Sequence, residues 1–239
     1  MARYARRPSG PPRRIGPYKC GPLPTLGIVG GIGAGKSAVA ALLAARGARV
    51  LDADAIGHAL LDQSPSRDEV LGRFGKHLLV AGDKPAIDRR ALGEIVFKDA
   101  VAREHLEEIL HPRIRRTVER AILKVCRRPE EVPLIVLDAP TLYEAGWDDL
   151  CDHVVYVDAP REVRLERIGA ARGWDDEALG ARERAQMDLG EKRRRADLCL
   201  TNDGDRDALE AAIDEFWAAA VKPLPRRLRP DHSLSDPDR

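Results

Sequence analysis

The sequence has almost no net charge and no long hydrophobic run, and both absences narrow the class of protein. Its 40 lysines and arginines nearly balance 39 aspartates and glutamates, which gives a formal net charge of +1. No global field therefore indicates a nucleic-acid or membrane partner. No apolar run approaches the ~20 residues that cross a bilayer, and the N-terminus lacks the apolar stretch of a secretory signal. The sequence predicts a cytoplasmic protein that binds neither nucleic acid nor membrane.

Cysteines are few and widely spaced, which argues against a metal centre built from thiolates. None of them lies in a C-x-x-C pair, and most stand in or beside apolar runs. We expect buried free thiols in a reducing compartment rather than disulfides. The four residues are Cys20, Cys126, Cys151 and Cys199.

The two ends of the chain differ in composition from its middle. Residues 1–24 are rich in arginine and proline and contain no acidic residue, and residues 222–239 form a second tail rich in proline, arginine and aspartate. Neither composition can build a core, so we predict disordered extensions on either side of a domain over 25–221. A basic arm that binds nucleic acid is the alternative for the first extension.

Short apolar runs alternate with helix-forming stretches between these tails. The alternation predicts an α/β fold with helices on both faces of a parallel sheet, in three layers. A very long helical block separates the second and third runs and predicts a helical subdomain, and a second helical insertion begins near Asp175. A helix break is expected at His111-Pro112 because proline is disfavoured deep inside a helix. The predicted strands are 26–29, 48–51, 134–137, 154–157 and 198–200.

The stretch GGIGAGKS, from Gly30 to Ser37, is the most informative part of the sequence. It fits G-x-x-x-x-G-K-[ST], the phosphate-binding P-loop, and it stands between an apolar run and a helix-forming run as that loop requires. Its backbone N–H groups and the helix N-terminus favour a polyphosphate. Lys36 can reach the β- and γ-phosphates, and the Ser37 hydroxyl can bind Mg²⁺. A Rossmann site is disfavoured because Lys36 stands at the third glycine position of G-x-G-x-x-G.

Carboxylates follow two of the predicted strands. Asp52 and Asp54 come after the second, where a carboxylate can deprotonate an acceptor hydroxyl or hold Mg²⁺ through water. Asp138 ends the third strand in the form of a Walker B element, whose acid helps to hold Mg²⁺. Each aspartate can instead be a helix cap or a strand-end cap, and the sequence leaves both interpretations open.

Basic residues after the fourth strand are candidates for phosphate contacts. Arg164, Arg167 and Arg172 fall on or just after a helix, and arginines that a mobile lid delivers stabilise a transferred phosphoryl group. A solvated helix face is the alternative. The run 192–195 can contact a phosphate or end the second insertion. The spacing alone assigns no role to His111.

Several ordered motifs together make the chain resemble the dephospho-coenzyme A kinases from about Leu26 to Ala220. The P-loop is shared with many proteins, but the combination of L-E-x-I-L-H-P-x-I with D-A-D and a late A-Q…A-D…N-x-G is specific to this family. The motifs stand at 30–37, 52–56, 74–75, 88–92, 95–97, 106–114, 139–144, 185–186, 191–192, 196–197 and 202–204.

The resemblance implies a P-loop kinase with a substrate-binding subdomain over about 62–130 and a lid over about 167–195. It implies transfer of the ATP γ-phosphoryl group to the 3′-hydroxyl of dephospho-CoA with Mg²⁺, by a monomer or weak homo-oligomer. Asp54 matches the family's proposed general base, and Arg167 matches an arginine that contacts the phosphates. With Lys36, these are the catalytic residues that the resemblance implies. The further residues implied are Arg89, His111 and Tyr143 for the substrate, Ser37 and Asp138 for the metal, and Gly31, Ile32, Gly33, Ala34, Gly35, Lys36, Ser37 and Ala38 for ATP.

The alternatives to this function are another small-molecule kinase of the same fold and, in a different class, a nucleotide-dependent switch or nucleic-acid-binding regulator. An adenylate-like kinase of the same fold is disfavoured by the long helical block and by the His111-Pro112 context. A GTPase switch would carry N-K-x-D, and the nearest string, from Asn202 to Asp205, lacks the lysine. A nucleic-acid-binding regulator should have a basic core, whereas the chain between the tails is near neutral.

Overall fold

A computed structural model describes residues 4–6, 18–80 and 85–221 of the chain. These residues form two compact units. The first takes the residues up to Leu51 and from Ala121 onward, and the second is Asp52–Arg120. The bounds of the second unit differ from the subdomain of about 62–130 that the sequence suggests.

Among the described residues, six strands form one sheet in the order β1-β8-β7-β2-β6-β3, and two short strands pair separately. The strands are β1 (Tyr4–Arg6), β2 (Thr25–Gly30), β3 (Arg49–Asp52), β4 (Leu79–Val80), β5 (Ala86–Ile87), β6 (Ile135–Asp138), β7 (His153–Asp158) and β8 (Leu198–Thr201). Strand β2 pairs in parallel with β6 and β7, and β7 pairs in parallel with β8. The carboxyl ends of these four strands therefore meet at one edge, where the loops that carry the site begin.

Aspartates begin most of the helices that follow a strand or a loop. An aspartate side chain accepts a backbone N–H at the start of α2, α4, α7, α8 and α9, which satisfies donors that the helix itself leaves unpaired. The helices are α1 (Lys36–Ala45), α2 (Ala53–Leu61), α3 (Ser66–Phe74), α4 (Arg89–Lys98), α5 (Ala100–Cys126), α6 (Arg161–Arg172), α7 (Asp176–Glu183), α8 (Leu189–Arg195) and α9 (Arg206–Phe216). No described helix is both long and apolar enough to span a bilayer.

The hydrophobic core of the first unit joins the central strands to helices α1 and α9. Ile28 of β2, Val39 and Leu43 of α1 and Ile213 of α9 are completely buried in it. Because α1 begins directly after the glycine-rich loop, the packing of its apolar face fixes the direction in which that loop leaves β2.

The beginning of the chain departs from the predicted disordered extension at the residues that the structure describes. Residues 4–6 form β1, which pairs antiparallel with β8. Tyr18, Cys20 and Leu23 are buried, and both carboxylate oxygens of Asp152 accept backbone N–H groups from Lys19 and Thr25. The chain therefore already packs from residue 18, before the predicted start of the domain at residue 25, and the domain bounds stay a prediction. The remainder of the two predicted tails lies outside the described residues.

None of the four cysteines forms a disulfide, as the sequence predicts. Cys20 and Cys151 are buried, whereas Cys126 and Cys199 are half-buried. Burial raises the pKa of the Cys126 thiol to about 11 and also raises the pKa of Cys199. These thiols are therefore protonated at neutral pH and are weak nucleophiles.

The second unit contains helices α2 to α4 and most of α5. The expected break at His111-Pro112 is wrong, since α5 runs without interruption from Ala100 to Cys126 with Pro112 inside it. Proline removes one backbone donor and disturbs the carbonyls of the preceding turn. The carbonyl that lacks its usual donor is that of Glu108, four residues before the proline, and the Arg113 guanidinium donates to the next carbonyl, that of Ile109, which adds a hydrogen bond to the disturbed turn.

Candidate active site

The glycine-rich loop leaves β2 at Gly30 and enters α1 at Lys36. Gly33 and Gly35 have φ angles of 78° and 90°, in the left-handed region that disfavours other residues. Gly35 precedes α1 without any side-chain cap, so the first N–H groups of this helix are oriented toward the loop. Ser37 and Ala38 occupy the exposed first turn. This is the conformation in which a backbone binds phosphate.

The Lys36 ammonium lies across the start of the loop. Its Nζ donates to the carbonyl oxygens of Gly30 at 3.0 Å and Gly31 at 2.9 Å. The positive charge is therefore held beside the backbone groups that would surround a polyphosphate. The geometry supports the phosphate-binding role that the motif predicts for this lysine.

Asp138 and Ser37 provide oxygen atoms of the kind that Mg²⁺ prefers. Asp138 is the last residue of β6, is buried and pairs in register with Ile28, two residues before the loop begins. No three histidine, cysteine, aspartate or glutamate side chains form a metal-binding group among the described residues. Mg²⁺ in phosphate sites takes one or two protein oxygens together with phosphate and water, so the oxygen chemistry of these two residues suits the ion, and their binding of Mg²⁺ stays a prediction.

Arg164 of α6, one of the three arginines that the sequence makes candidates for phosphate contacts, is buried against the glycine-rich loop. Arg164 is 5% exposed, and its guanidinium donates to the carbonyls of Ala159 at 3.2 Å and Ile32 at 3.1 Å. The same guanidinium pairs with Glu183 of α7, and Arg161 binds the other carboxylate oxygen of Glu183. Arg164 thus connects α6 and α7 to the glycine-rich loop.

Arg167 contacts the loop that follows β8. Its guanidinium donates to the carbonyls of Asn202 at 3.1 Å and Gly204 at 3.0 Å. The Asn202 side chain in turn donates to the carbonyl of Ala34 at 2.8 Å. Arg167 is therefore connected to the glycine-rich loop through Asn202. Its contact with a phosphate stays a prediction.

The loop after β6 binds a lysine of α8, whose role the sequence leaves open. Lys192 of α8 is 0% exposed, and its Nζ binds Glu144 Oε1 at 2.9 Å and the Pro140 carbonyl at 3.0 Å. Of the two uses considered for the run 192–195, contact with a phosphate or an exposed end, neither describes Lys192. Glu144 and Lys192 both belong to family motifs, 139–144 and 191–192, but only the fold shows that the two side chains form an ion pair.

Tyr143 lies in the same loop and is 6% exposed. Its hydroxyl is buried without a hydrogen-bond partner in the described structure, and the Arg195 guanidinium lies 4.1 Å from the centre of its ring. Burial raises the pKa of this phenol, with a further contribution from Asp197. Tyr143 is therefore a neutral hydroxyl that can donate or accept a hydrogen bond.

The remaining predicted residues belong to the second unit. Asp52 begins α2 by accepting the N–H of Ala55 at 2.8 Å, whereas Asp54 is exposed in the first turn of that helix. Arg89, the first residue of α4, pairs with Asp62 at 2.5 Å. His111 is half-buried in α5, and burial lowers the pKa of its imidazole.

Comparison with known proteins decides between the kinases that share this architecture. A family model described as dephospho-CoA kinase matches residues 24–208. The chain belongs to the dephospho-CoA kinase family. Members of this family are ATP-dependent phosphotransferases with the P-loop kinase fold, so the predicted fold, enzyme class and family are confirmed.

Individual relatives cover most of the chain. The dephospho-CoA kinase of Symbiobacterium thermophilum is 42% identical over 198 residues, which is 82% of this chain and 80% of the relative. The crystal structure of TT1252 from Thermus thermophilus has 38% identity and a TM-score of 0.68, covering 82% of this chain and 97% of that one. The dephospho-CoA kinase structure from Campylobacter jejuni has 26% identity and a TM-score of 0.62, with 83% and 97% covered.

Proposed function

We propose that this dephospho-CoA kinase family member transfers the γ-phosphoryl group of ATP to the 3′-hydroxyl of dephospho-CoA, giving coenzyme A and ADP. The single observation that carries the proposal is the phosphate loop between β2 and α1, with Lys36 held across it, in a chain of this family. The ligands are ATP with Mg²⁺ and dephospho-CoA. The protein works as a monomer or weak homo-oligomer in the cytoplasm, without nucleic acid or membrane.

The first unit holds the nucleotide in this proposal. The backbone N–H groups from Gly31 to Ala38 surround the phosphates, and Lys36 stabilises the charge that develops on the transferred group. Ser37 and Asp138 hold Mg²⁺, which when bound neutralises phosphate charge. Arg167 adds positive charge from α6.

The residues that the family resemblance assigns to the acceptor have the following roles in this proposal. Asp54 orients the 3′-hydroxyl and accepts its proton, a role that an exposed carboxylate at the start of a helix can fill. Arg89 supplies a cation to the anionic substrate. His111 contributes a neutral imidazole, since burial lowers its pKa, and Tyr143 contributes its hydroxyl.

An acceptor screen with a P-loop variant tests the proposal. Purified protein with ATP and Mg²⁺ should phosphorylate dephospho-CoA and leave AMP, shikimate and gluconate essentially unreacted, with ³¹P NMR locating the new phosphate on the 3′ oxygen. Lys36→Ala should lower kcat by about 10²-fold, as the loss of one well-placed electrostatic contact does. Lys124→Ala, an exposed lysine near the end of α5, is the matched control. Faster turnover of AMP, or normal kcat in Lys36→Ala, would contradict the proposal.

A further inference from the structure

Two buried side chains bind the outer surface of the phosphate loop. The Arg164 guanidinium donates to the Ile32 carbonyl at 3.1 Å, and the Asn202 amide donates to the Ala34 carbonyl at 2.8 Å. These residues are far from the loop in sequence and come from different elements, α6 and the turn after β8. Both are nearly excluded from solvent, with 5% and 4% of their surfaces exposed.

The planarity of the peptide bond gives these contacts a consequence for phosphate binding. In a trans peptide the C=O of one residue and the N–H of the next point in opposite directions. A donor that holds the Ile32 carbonyl therefore directs the Gly33 N–H the other way, and the bond to the Ala34 carbonyl does the same for the Gly35 N–H. These N–H groups belong to the loop that surrounds a polyphosphate.

The two donors are themselves fixed by further hydrogen bonds. Arg164 is held by the Ala159 carbonyl and by its ion pair with Glu183. The Asn202 backbone N–H donates to the Asp158 carbonyl at 2.7 Å, and the Arg167 guanidinium donates to the Asn202 carbonyl at 3.1 Å and to the Asn202 side-chain Oδ1 at 3.4 Å. Rotation of either the Arg164 or the Asn202 side chain would therefore break a second hydrogen bond as well as the one to the loop.

The loop glycines fit closely against the same two residues. A Cβ atom on Gly35 would lie 2.2 Å from the Asn202 amide nitrogen, and one on Gly33 would lie 2.7 Å from the Arg164 carbonyl. One on Gly31 would lie 2.8 Å from the Arg164 guanidinium. Glycine at these positions therefore serves the approach of Arg164 and Asn202 as well as the left-handed backbone.

We propose that Arg164 and Asn202 are positioning residues of the phosphate loop, which orient the Gly33 and Gly35 N–H groups toward the nucleotide phosphates. Neither side chain needs to touch the nucleotide, since each acts through one loop carbonyl. The inference rests on the proposed nucleotide-binding role of this loop. It deepens that role by assigning the orientation of two backbone donors to two specific side chains.

Two variants separate the donors from each other. Asn202→Asp keeps the shape and the acceptor for Arg167 but replaces the NH₂ that reaches Ala34 with an oxygen. Arg164→Lys keeps the charge beside Glu183 but lacks the planar guanidinium that serves three partners at once. Arg161→Gln is the control, because Arg161 shares Glu183 with Arg164 and its hydrogen bonds within the described part of the chain go to Asp176 and Glu183 rather than to the loop. The probe is ADP with Mg²⁺, titrated by calorimetry and by NMR of ¹⁵N-glycine-labelled protein.

We expect Asn202→Asp and Arg164→Lys each to raise the Kd of ADP about tenfold or more, the scale of one hydrogen bond to a charged group. In the wild type, ADP should shift the amide resonances of both Gly33 and Gly35. The shift of Gly35 should be lost selectively in Asn202→Asp and that of Gly33 in Arg164→Lys. Arg161→Gln should bind ADP as the wild type does.

Three results would overturn the inference. The first is ADP affinity within twofold of wild type together with normal shifts of both glycines. The second is an equal loss in Arg161→Gln, which would assign the effect to the ion-pair cluster on α7. The third is a spectrum altered throughout, for example at Gly93 of α4, which would make the residues general supports of the fold. Because these measurements contain no acceptor, a failure of dephospho-CoA to react would leave their outcome unaffected.

Discussion

The two aspartates that follow β3 have different surroundings although they are two residues apart. Asp52 accepts the Ala55 N–H and so begins α2 as a capping residue. Asp54 lies in the first turn with its side chain exposed. From the sequence, either aspartate could be a helix cap or a catalytic residue. The hydrogen bond from the Ala55 N–H identifies Asp52 as the cap.

Paired substitutions of these aspartates should give opposite results. Asp54→Asn should lower kcat by about 10²-fold, because the amide cannot accept the hydroxyl proton, with little change in the Kd of ATP. Asp52→Asn should retain most activity and lose at most about 1 kcal/mol of stability, since asparagine also caps helices. Steady-state kinetics, ATP titration and thermal melting on both variants check this. A folded but inactive Asp52→Asn protein, beside an active Asp54→Asn protein, would reverse the assignment.

How much of the site could be predicted depended on the distance in sequence between its parts. The P-loop was predictable because its glycines, lysine and serine are contiguous and their spacing is set by the phosphate. The burial of Arg164 and its contact with Ile32 were not, since the partners are 132 residues apart. Arginines on a helix resemble a solvated face until the packing of that helix is known.

Among the elements, α5 shows where a strong local rule fails. Proline in a helix interior costs about 3 kcal/mol in general, which made a break at Pro112 the natural prediction. The helix nevertheless continues through the proline, and the Arg113 side chain adds a hydrogen bond to the Ile109 carbonyl in the preceding turn. The strands were easier to predict, because a short apolar run bounded by turns is typical of a buried strand when such runs alternate with helices.

Helix α8 is attached to the loop after β6 by a buried ion pair. Lys192 binds Glu144 and the Pro140 carbonyl, and Glu144 Oε1 also accepts the N–H of Met187. A buried ammonium is costly unless it is fully paired, so this contact fixes the position of the loop that carries Tyr143.

Removal of the Lys192 charge should therefore be destabilising. Lys192→Met should lower the free energy of unfolding by about 3 kcal/mol, because Glu144 and the Pro140 carbonyl lose their donor. Adding Glu144→Gln should cost less in this background than alone, since the uncompensated carboxylate is removed. Arg194→Met, on the exposed side of α8, should change stability by about 0.5 kcal/mol or less. Urea denaturation of the wild type, the two single variants at Lys192 and Glu144 and the double variant gives a double-mutant cycle, with Arg194→Met measured beside it. Strictly additive losses in the cycle would show that the pair does not couple α8 to the loop.

For the whole molecule, the alternating pattern predicted the parallel sheet and the large helical block, but the sequence did not predict that Tyr18, Cys20 and Leu23 are buried. Arginine and proline are frequent throughout residues 1–24, so composition alone does not separate residues 18–24 from those before them. The burial of Tyr18, Cys20 and Leu23 depends on a surface formed by residues far along the chain. Asp152, for example, lies 133 residues from Lys19, whose N–H it accepts.

Two N-terminal deletions test where the folded chain begins. Deletion of residues 1–17 removes β1, a three-residue edge strand, and should change the free energy of unfolding little. Deletion of residues 1–23 also removes the buried side chains of Tyr18, Cys20 and Leu23, and full burial of a leucine alone is worth about 1.5–3 kcal/mol, so this protein should be less stable by several kcal/mol. It further leaves Asp152, whose pKa burial already raises, without the N–H of Lys19. Urea denaturation of both proteins measures the difference, and equal stabilities would mean that residues 18–23 only cover a domain that is complete without them.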